Sequence, residues 1–376
     1  MKPLLFFLLF LFCAQAGARS SDIPPPPLLD ARAYMVLDLN SNQTILSKNA
    51  ESRIEPGSLA KLMTAYIVFG AMKQKSLKGE QLVPVSAHAI DVKGSRMFLQ
   101  QQKPASVSEL VRGMIIQSAN DACVALAEDL AGSESAFVKR MNQEAERLGM
   151  KNTHYANSTG LPDSGQYTTV QDLSILSAAI IRNYPEYYSI YSNKEYSYNG
   201  ITQPNRNRLL WMDPHADGMA TGHTESSGYM LVSSVLRGNR RVVSILSGAS
   251  SDATRAIESL KLLNYVLQYY DSVKLYSKGQ AVTTLRVWKG KKNTLKAGFA
   301  QDLYVTVPRG EEPGLKAMIQ ASQPLVVPVL AGQQVGVVKV SLDGKRFAEY
   351  PLISLENVPP ANFIGRAWDG LKLLFN

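Results

Sequence analysis

Ser58 and Lys61 stand three residues apart in Glu55-Pro56-Gly57-Ser58-Leu59-Ala60-Lys61-Leu62-Met63-Thr64, at the start of an apolar, helix-compatible run that reaches Val68. Residues at this spacing share one face of a helix, so the hydroxyl and the amine are expected side by side. A serine is a weak nucleophile until a base takes its proton. A lysine can be that base only where burial or a neighbouring cation lowers its pKa toward neutrality. Pro56 and Gly57 punctuate the chain just before, which puts the pair at a helix N-terminus. Unpaired N–H groups and the positive end of the dipole favour developing negative charge there. The same residues also read as a helix start followed by a surface lysine, so the spacing gains weight only from other stretches.

Two such stretches follow in the chain. Ser118-Ala119-Asn120 is a short polar break between two apolar helical runs. It reads as turn and cap chemistry, and equally as groups pointing into a cleft. Gly218-Met219-Ala220-Thr221-Gly222-His223-Thr224 leads into a turn at residues 225–228 and then into two strands, Tyr229 to Leu236 and Arg240 to Leu246, joined at Gly238-Asn239.

The elements that must position these groups are readable in outline. Ala33 to Leu39 and Gln43 to Ser47 form an opening hairpin about the turn Asn40-Ser41-Asn42. Ser106-Val107-Ser108-Glu109 is a capping box that starts a helix ending near Gln117, and a second helical run covers Ala122 to Leu130. Thr169-Val170-Gln171-Asp172 starts another. Ser251 or Asp252 caps a last helix, with Ile257, Leu260, Leu263, Val266 or Leu267, and Tyr270 expected on one apolar face. Beyond Asp271 the character changes to short strand-like runs separated by Gly, Pro and Lys turns, which predicts a small all-β domain over residues 271–358. Residues 361–376 are helical again, with an apolar stripe of Phe363, Ile364, Ala367, Trp368, Leu371 and Leu374. That helix either packs on the β-domain or lies in a membrane interface, and Trp368 and Phe375 beside a lysine favour the membrane.

At 376 residues, with 45% hydrophobic and 19% charged residues, the chain is globular and long enough for two domains. A net charge of +9 without basic blocks or interleaved aromatics excludes nucleic acid as the indicated partner. An anionic membrane surface or wall polymer accounts for it as well. Lys2, the apolar run Leu4 to Phe12 and the small-residue positions Ala14-Gln15-Ala16 and Ala16-Gly17-Ala18 predict an export signal over residues 1–18, cleaved after Ala16 or Ala18. Export removes Cys13 and leaves Cys123, which then has no internal disulfide partner and reads as a small buried hydrophobe. The four histidines, His88, His154, His215 and His223, are scattered without a His-Glu-x-x-His pattern, so no metal or other cofactor is expected.

With Ser58/Lys61, Ser118-x-Asn120 and Thr221-Gly222 in this order, the chain resembles the low-molecular-mass penicillin-binding proteins, the serine-type D-alanyl-D-alanine carboxypeptidases of the bacterial periplasm. The likeness runs from about Ala33 to the C-terminus and includes Gly94 to Leu99, Gln117 to Cys123, Asn205-Arg206-Asn207 and Thr221 to Thr224. It implies an α/β fold: a β-lactamase/transpeptidase-like domain over residues 22–270, in which an antiparallel sheet is flanked by helices, then the β-rich domain and the amphipathic anchor helix. It implies Ser58 as nucleophile, Lys61 as its base, Ser118 as proton relay to the leaving amine, and Asn120 holding the substrate amide and Lys61. The backbone N–H of Ser58 and one from the Thr224 region would form the oxyanion hole. Thr221 and Arg206 would hold the terminal carboxylate, with Arg255 a further candidate and Gly222 and His223 lining the cleft. The implied partners are peptidoglycan pentapeptide stems, β-lactams as covalent inhibitors, and the outer face of the inner membrane.

The chain departs from the family's pattern in a minor way at Ala119, where the second motif has glycine, and in a consequential way at one other position. The family's third motif is Lys-Thr-Gly, and here the first residue is Ala220. Two ammonium groups ~5 Å apart at an effective dielectric of ~20 repel by about 3 kcal/mol, or roughly two pKa units. Without that second cation Lys61 is expected to stay protonated more of the time, and the substrate carboxylate loses a charge partner. The expectation is a depressed carboxypeptidase rate. The alternative is a non-catalytic, membrane-anchored protein that binds stem peptides or β-lactams without turning them over. A serine β-lactamase would need Glu-x-x-Leu-Asn to activate a deacylating water, and no such pattern lies between Asn152 and Asp172.

Overall fold

The computed structural model of the protein describes residues 23–363 and residue 369. The export signal expected at 1–18 lies outside the described residues, as does the helix expected at 361–376 apart from 361–363 and 369. Among the described residues no helix is long and apolar enough to cross a membrane.

A five-stranded antiparallel sheet organises the first part of the chain. Its spatial order is Gln43–Lys48, Ala33–Asp38, Arg240–Ala249, Gly228–Arg237, Ala216–Thr224. The period-two alternation of strand side chains sends alternate residues to opposite faces. Ala33, Met35 and Leu37 face the larger core, built with helices Lys61–Lys73, Val107–Ile116, Asn120–Ala131, Glu134–Leu148 and Val170–Asn183. Val36, Val235, Val242 and Leu246 face the other way, onto Leu262, Leu263 and Val266 of the helix Asp252–Tyr269.

The helix Lys61–Lys73 runs through the core, with Leu62, Met63, Ala65, Tyr66, Val68 and Phe69 all buried. A helix apolar on every side belongs in an interior. The expected capping box at Val107–Ile116 is present: Ser106 Oγ accepts from Glu109 N, and Glu109 Oε2 accepts from Ser106 N at 2.8 Å. The last helix differs from its expected face. Ile257 is 45% exposed, Leu260 is half-buried and Tyr270 opens the next strand. Arg255, Glu258 and Ser259 point inward with Leu262, Leu263 and Val266, because Arg255 reaches across to the sheet and turns the polar residues to the protein side.

Beyond residue 270 the chain is β-rich, with its own core of Leu285, Val287, Leu295, Val305, Val338 and Leu352. Strand Tyr270–Tyr276 pairs with Leu303–Pro308, and a six-stranded sheet follows. The two cores meet at buried polar contacts. Arg240 pairs with Asp38 at 2.7 Å and also donates to the carbonyl of Tyr270, while the Ser41 and Thr306 hydroxyls are 2.7 Å apart. A charge pair this buried leaves a costly unpaired group if either partner is lost.

Candidate active site

The strand Ala216–Thr224 is the sheet's edge, so one of its sides is free to border a cleft. The turn Gly57–Ala60, a single 3₁₀ turn, leads directly into the core helix at Lys61. Turn and strand are in close contact: a methyl group added at Gly57 would come within 3.1 Å of His223 O, and one added at Gly222 within 3.1 Å of Pro56 O. From behind, Gly160 has φ +83°, and a Cβ there would fall 1.7 Å from Gly57 O. Only glycine lets that loop close on the turn.

Lys61 is 5% exposed, and its Nζ donates to Ser58 Oγ at 3.2 Å and to Thr159 O at 2.7 Å. Burial, opposed by Cys123 and assisted by the nearby Arg206 guanidinium, lowers its ammonium to about 8. Desolvation penalises the charged form of a lysine. Much of the depression that sequence reasoning assigned to a second lysine is thus available from burial. The thiol of Cys123 donates to Ser158 O at 3.0 Å, and burial pushes it up to about 11, so it remains a protonated, packed group.

The polar break between the two helices is a tight turn. Ser118 has φ 57°, a left-handed conformation that few non-glycine residues adopt, and its side chain faces the same cavity as Ser58 and Lys61. Asn120 opens the helix Asn120–Ala131 and donates from Nδ2 to Lys93 O at 2.6 Å, while its backbone N–H donates to Ser95 O at 2.7 Å. Its buried Oδ1 has no hydrogen-bond partner among the described residues. Lys61 is held by Ser58 and Thr159 rather than by Asn120.

Ser58, Lys61, Ser118, Arg206, Ala220 and Thr221 line one cavity of about 20 Å³, room for a water-sized group. Arg206 is exposed and anchored by its Nε, which donates to Gln117 O at 3.2 Å. It has no acidic partner among the described residues. Arg255 is differently placed. It donates to Gly222 O at 3.0 Å and pairs with Asp252, so its charge supports the edge strand. His223 is exposed and its ring lies 4.2 Å from that of Tyr229. The structure therefore gathers Ser58, Lys61, Ser118, Arg206, Ala220 and Thr221, with Asn120 at the margin and Arg255 behind the strand.

Sequence reasoning missed three contributors. Thr159 acts through a backbone carbonyl, which leaves no side-chain signal. Tyr191 lines the cavity with a buried hydroxyl that has no partner among the described residues. Asp121 accepts from Met97 N at 3.0 Å and from Leu99 N at 3.1 Å, which ties the Gly94 to Leu99 loop to the Ser118 turn. A buried acid in the first turn of a helix was the available clue to it.

Comparison with known proteins gives consistent results. A family model described as D-alanyl-D-alanine carboxypeptidase matches residues 20–251, and one for the penicillin-binding protein 5 C-terminal domain matches residues 270–360. The D-alanyl-D-alanine carboxypeptidase DacC of Escherichia coli is 39% identical, over 98% of this chain and 94% of that protein. DacA of the same organism is 40% identical, over 94% and 90%. Among solved structures, penicillin binding protein 5 from Haemophilus influenzae aligns with TM-score 0.85 and 37% identity, over 89% of this chain and 99% of that one. Penicillin-Binding Protein D2 from Listeria monocytogenes, in an ampicillin-bound form, aligns with TM-score 0.59 and 29% identity, over 64% and 99%.

Proposed function

Because this chain belongs to the D-alanyl-D-alanine carboxypeptidase family, we propose that it removes the terminal D-alanine from peptidoglycan pentapeptide stems through an acyl-enzyme on Ser58. The observation that carries this reading is Lys61 Nζ at 3.2 Å from Ser58 Oγ, with the ammonium lowered to about 8. In its neutral form Lys61 takes the Ser58 proton as Oγ attacks the penultimate D-alanine carbonyl. Backbone N–H groups at Ser58 and on the strand near Thr224 stabilise the oxyanion. Collapse breaks the C–N bond, and Ser118 delivers a proton to the leaving amine. Water then hydrolyses the Ser58 ester. Asn120 Oδ1 accepts from the substrate amide, and Arg206 with Thr221 holds the terminal carboxylate. A β-lactam enters the same path and stops at the ester.

Ala220 places a methyl group where the family motif has an ammonium, so the carboxylate is held by fewer charges. Turnover is attenuated for that reason, while acylation persists because burial already lowers Lys61. The protein is exported to the periplasm. Its segment 361–376 anchors it on the outer face of the inner membrane.

The test is mass spectrometry of the mature protein after incubation with a β-lactam and, separately, with a D-Ala-D-Ala peptide. The expected result is a penicilloyl adduct on Ser58 with slow release of D-alanine. An adduct without release would favour the binding-protein reading that Ala220 motivates, and the absence of both would remove the acyl-enzyme.

A further inference from the structure

A second groove, of about 460 Å³, opens where the edge strand ends, and Arg32, Arg53, Glu55, Tyr167 and Ser227 are among the residues lining it. Its walls continue the two segments that border the nucleophile. Residues 53–57 lead into Ser58, and the turn at 225–227 follows Thr224. Glu55 N donates to Ser227 Oγ at 2.8 Å and ties the two walls together. From Ser58 back to Arg53 is five residues, at most about 17 Å of extended chain.

The groove is cationic by construction. The Arg53 guanidinium is held 4.0 Å from the centre of the Tyr167 ring. Arg32 lies across two glycines: a Cβ added at Gly248 would come within 2.6 Å of Arg32 Nε, and one added at Gly228 within 3.1 Å of its Nη2. The backbone thus leaves room for this side chain. Neither arginine has an ion-pair partner among the described residues, although Glu55 lines the same groove. Two positioned guanidiniums that no carboxylate pairs with suit a ligand that brings one.

Direction follows from the other end of the cleft. Arg206 and Ser118 lie beside Ala220 and Thr221, whereas this groove is lined by Ser226 and Ser227, just past Thr224 in the chain. A substrate whose terminal carboxylate sits at Arg206 and Thr221 must run its acyl side along the edge strand toward Thr224. We propose that the groove is a subsite for the upstream part of the stem peptide, and that Arg32 and Arg53 read a carboxylate carried there. The inference rests on the proposed carboxypeptidase reading, and it names the class of acyl-side substrate that the enzyme prefers: an acidic peptide.

The test uses two acetylated pentapeptides ending in Lys-D-Ala-D-Ala that differ only in glutamate against glutamine at the residue before the lysine. Binding is measured by calorimetry to the full chain carrying Ser58→Ala, so that no turnover is needed. The glutamate peptide is expected to bind about fivefold more tightly at low salt, the scale of one solvent-screened charge contact. Arg32→Gln and Arg53→Gln should each shrink that preference, Arg32→Lys should restore part of it, and added salt should erase it. Thermal melts check that each variant is folded. Equal affinity for the two peptides, or a preference that survives the double variant, overturns the subsite. Failure of the carboxypeptidase reading shows separately, as no D-alanine released from the glutamine peptide by the parent protein.

Discussion

Lys61 donates to the backbone carbonyl of Thr159 at 2.7 Å and to the hydroxyl of Ser58 at 3.2 Å. The first contact fixes the amine on a rigid acceptor and leaves Ser58 Oγ as the longer and more adjustable contact. A base that is to give and take a proton needs this asymmetry: one partner that orients it and one with which it exchanges.

The first prediction concerns pH. In the proposed acylation only neutral Lys61 accepts the Ser58 proton, and its ammonium is lowered to about 8. Acylation by a fluorescent β-lactam should rise about tenfold per pH unit below that value and level off above it. Ala220→Lys adds a cation, which disfavours the protonated form of Lys61. The acid limb should therefore move down, by about one to two pH units at the contact distance expected. D-Alanine release should rise in the same variant. Unchanged turnover of a D-Ala-D-Ala peptide would refute the attenuation assigned to Ala220.

Arg206 gives a second prediction, with the opposite sign for the same limb. Its charge lowers Lys61, so Arg206→Gln should move the acid limb of acylation upward. The variant also loses the contact proposed for the substrate carboxylate, and KM for a D-Ala-D-Ala peptide should rise about tenfold. Arg255→Gln should instead show as lost stability, because that side chain donates to Gly222 O and pairs with Asp252. Steady-state kinetics over pH 6–10 and chemical denaturation of both variants separate the two roles.

How far these roles could be read from the chain depended on what carries them. The spacing of Ser58 and Lys61 is a side-chain pattern, and the helix geometry behind it is local. The Ser106/Glu109 capping box is local in the same way, and it forms as expected. Thr159 was invisible because its contribution is a carbonyl oxygen brought from 98 residues away. The face of the last helix departs from its hydrophobic period for a tertiary reason: Ile257 has the right period, but Arg255 is drawn inward by a carbonyl on the edge strand. Such contacts between distant segments override hydrophobic periodicity and leave no trace in a local window.

Gly160 supplies a third prediction. A methyl group there would meet Gly57 O at 1.7 Å, and its φ of +83° disfavours any other residue. Gly160→Ala must displace either the nucleophile turn or the Thr159 carbonyl that orients Lys61. Stability should fall by about 2–4 kcal/mol. The acylation rate at saturating β-lactam should fall further than that of Gly132→Ala. Gly132 also has positive φ, but a Cβ there meets nothing within 4 Å, so it controls for backbone strain alone. Equal losses in the two variants would show that strain, and not the contact with the turn, is what matters.

The last prediction links the site to stability. The ordinary lysine value of 10.5 falls to about 8 in the folded protein because Lys61 is buried. Between those two values the unfolded chain holds a proton that the folded one has released, so folding becomes more favourable as pH rises through that window. Below pH 8 both states are protonated and the desolvation cost is carried in full, on the order of 3 kcal/mol. Lys61→Met removes the charge and most of that cost, though it leaves the Thr159 carbonyl without its donor. The variant should therefore match or exceed the parent in stability at pH 7, and lose that advantage progressively from pH 8 to 10 as the parent gains. It should form no penicilloyl adduct at any pH. Urea denaturation of parent and variant at matched pH values measures the difference, and because only the Lys61 side chain differs, other titrating groups largely cancel. A difference that stays flat across this window would mean that Lys61 is not held with a lowered pKa, and the base assigned to Ser58 would have to be sought elsewhere.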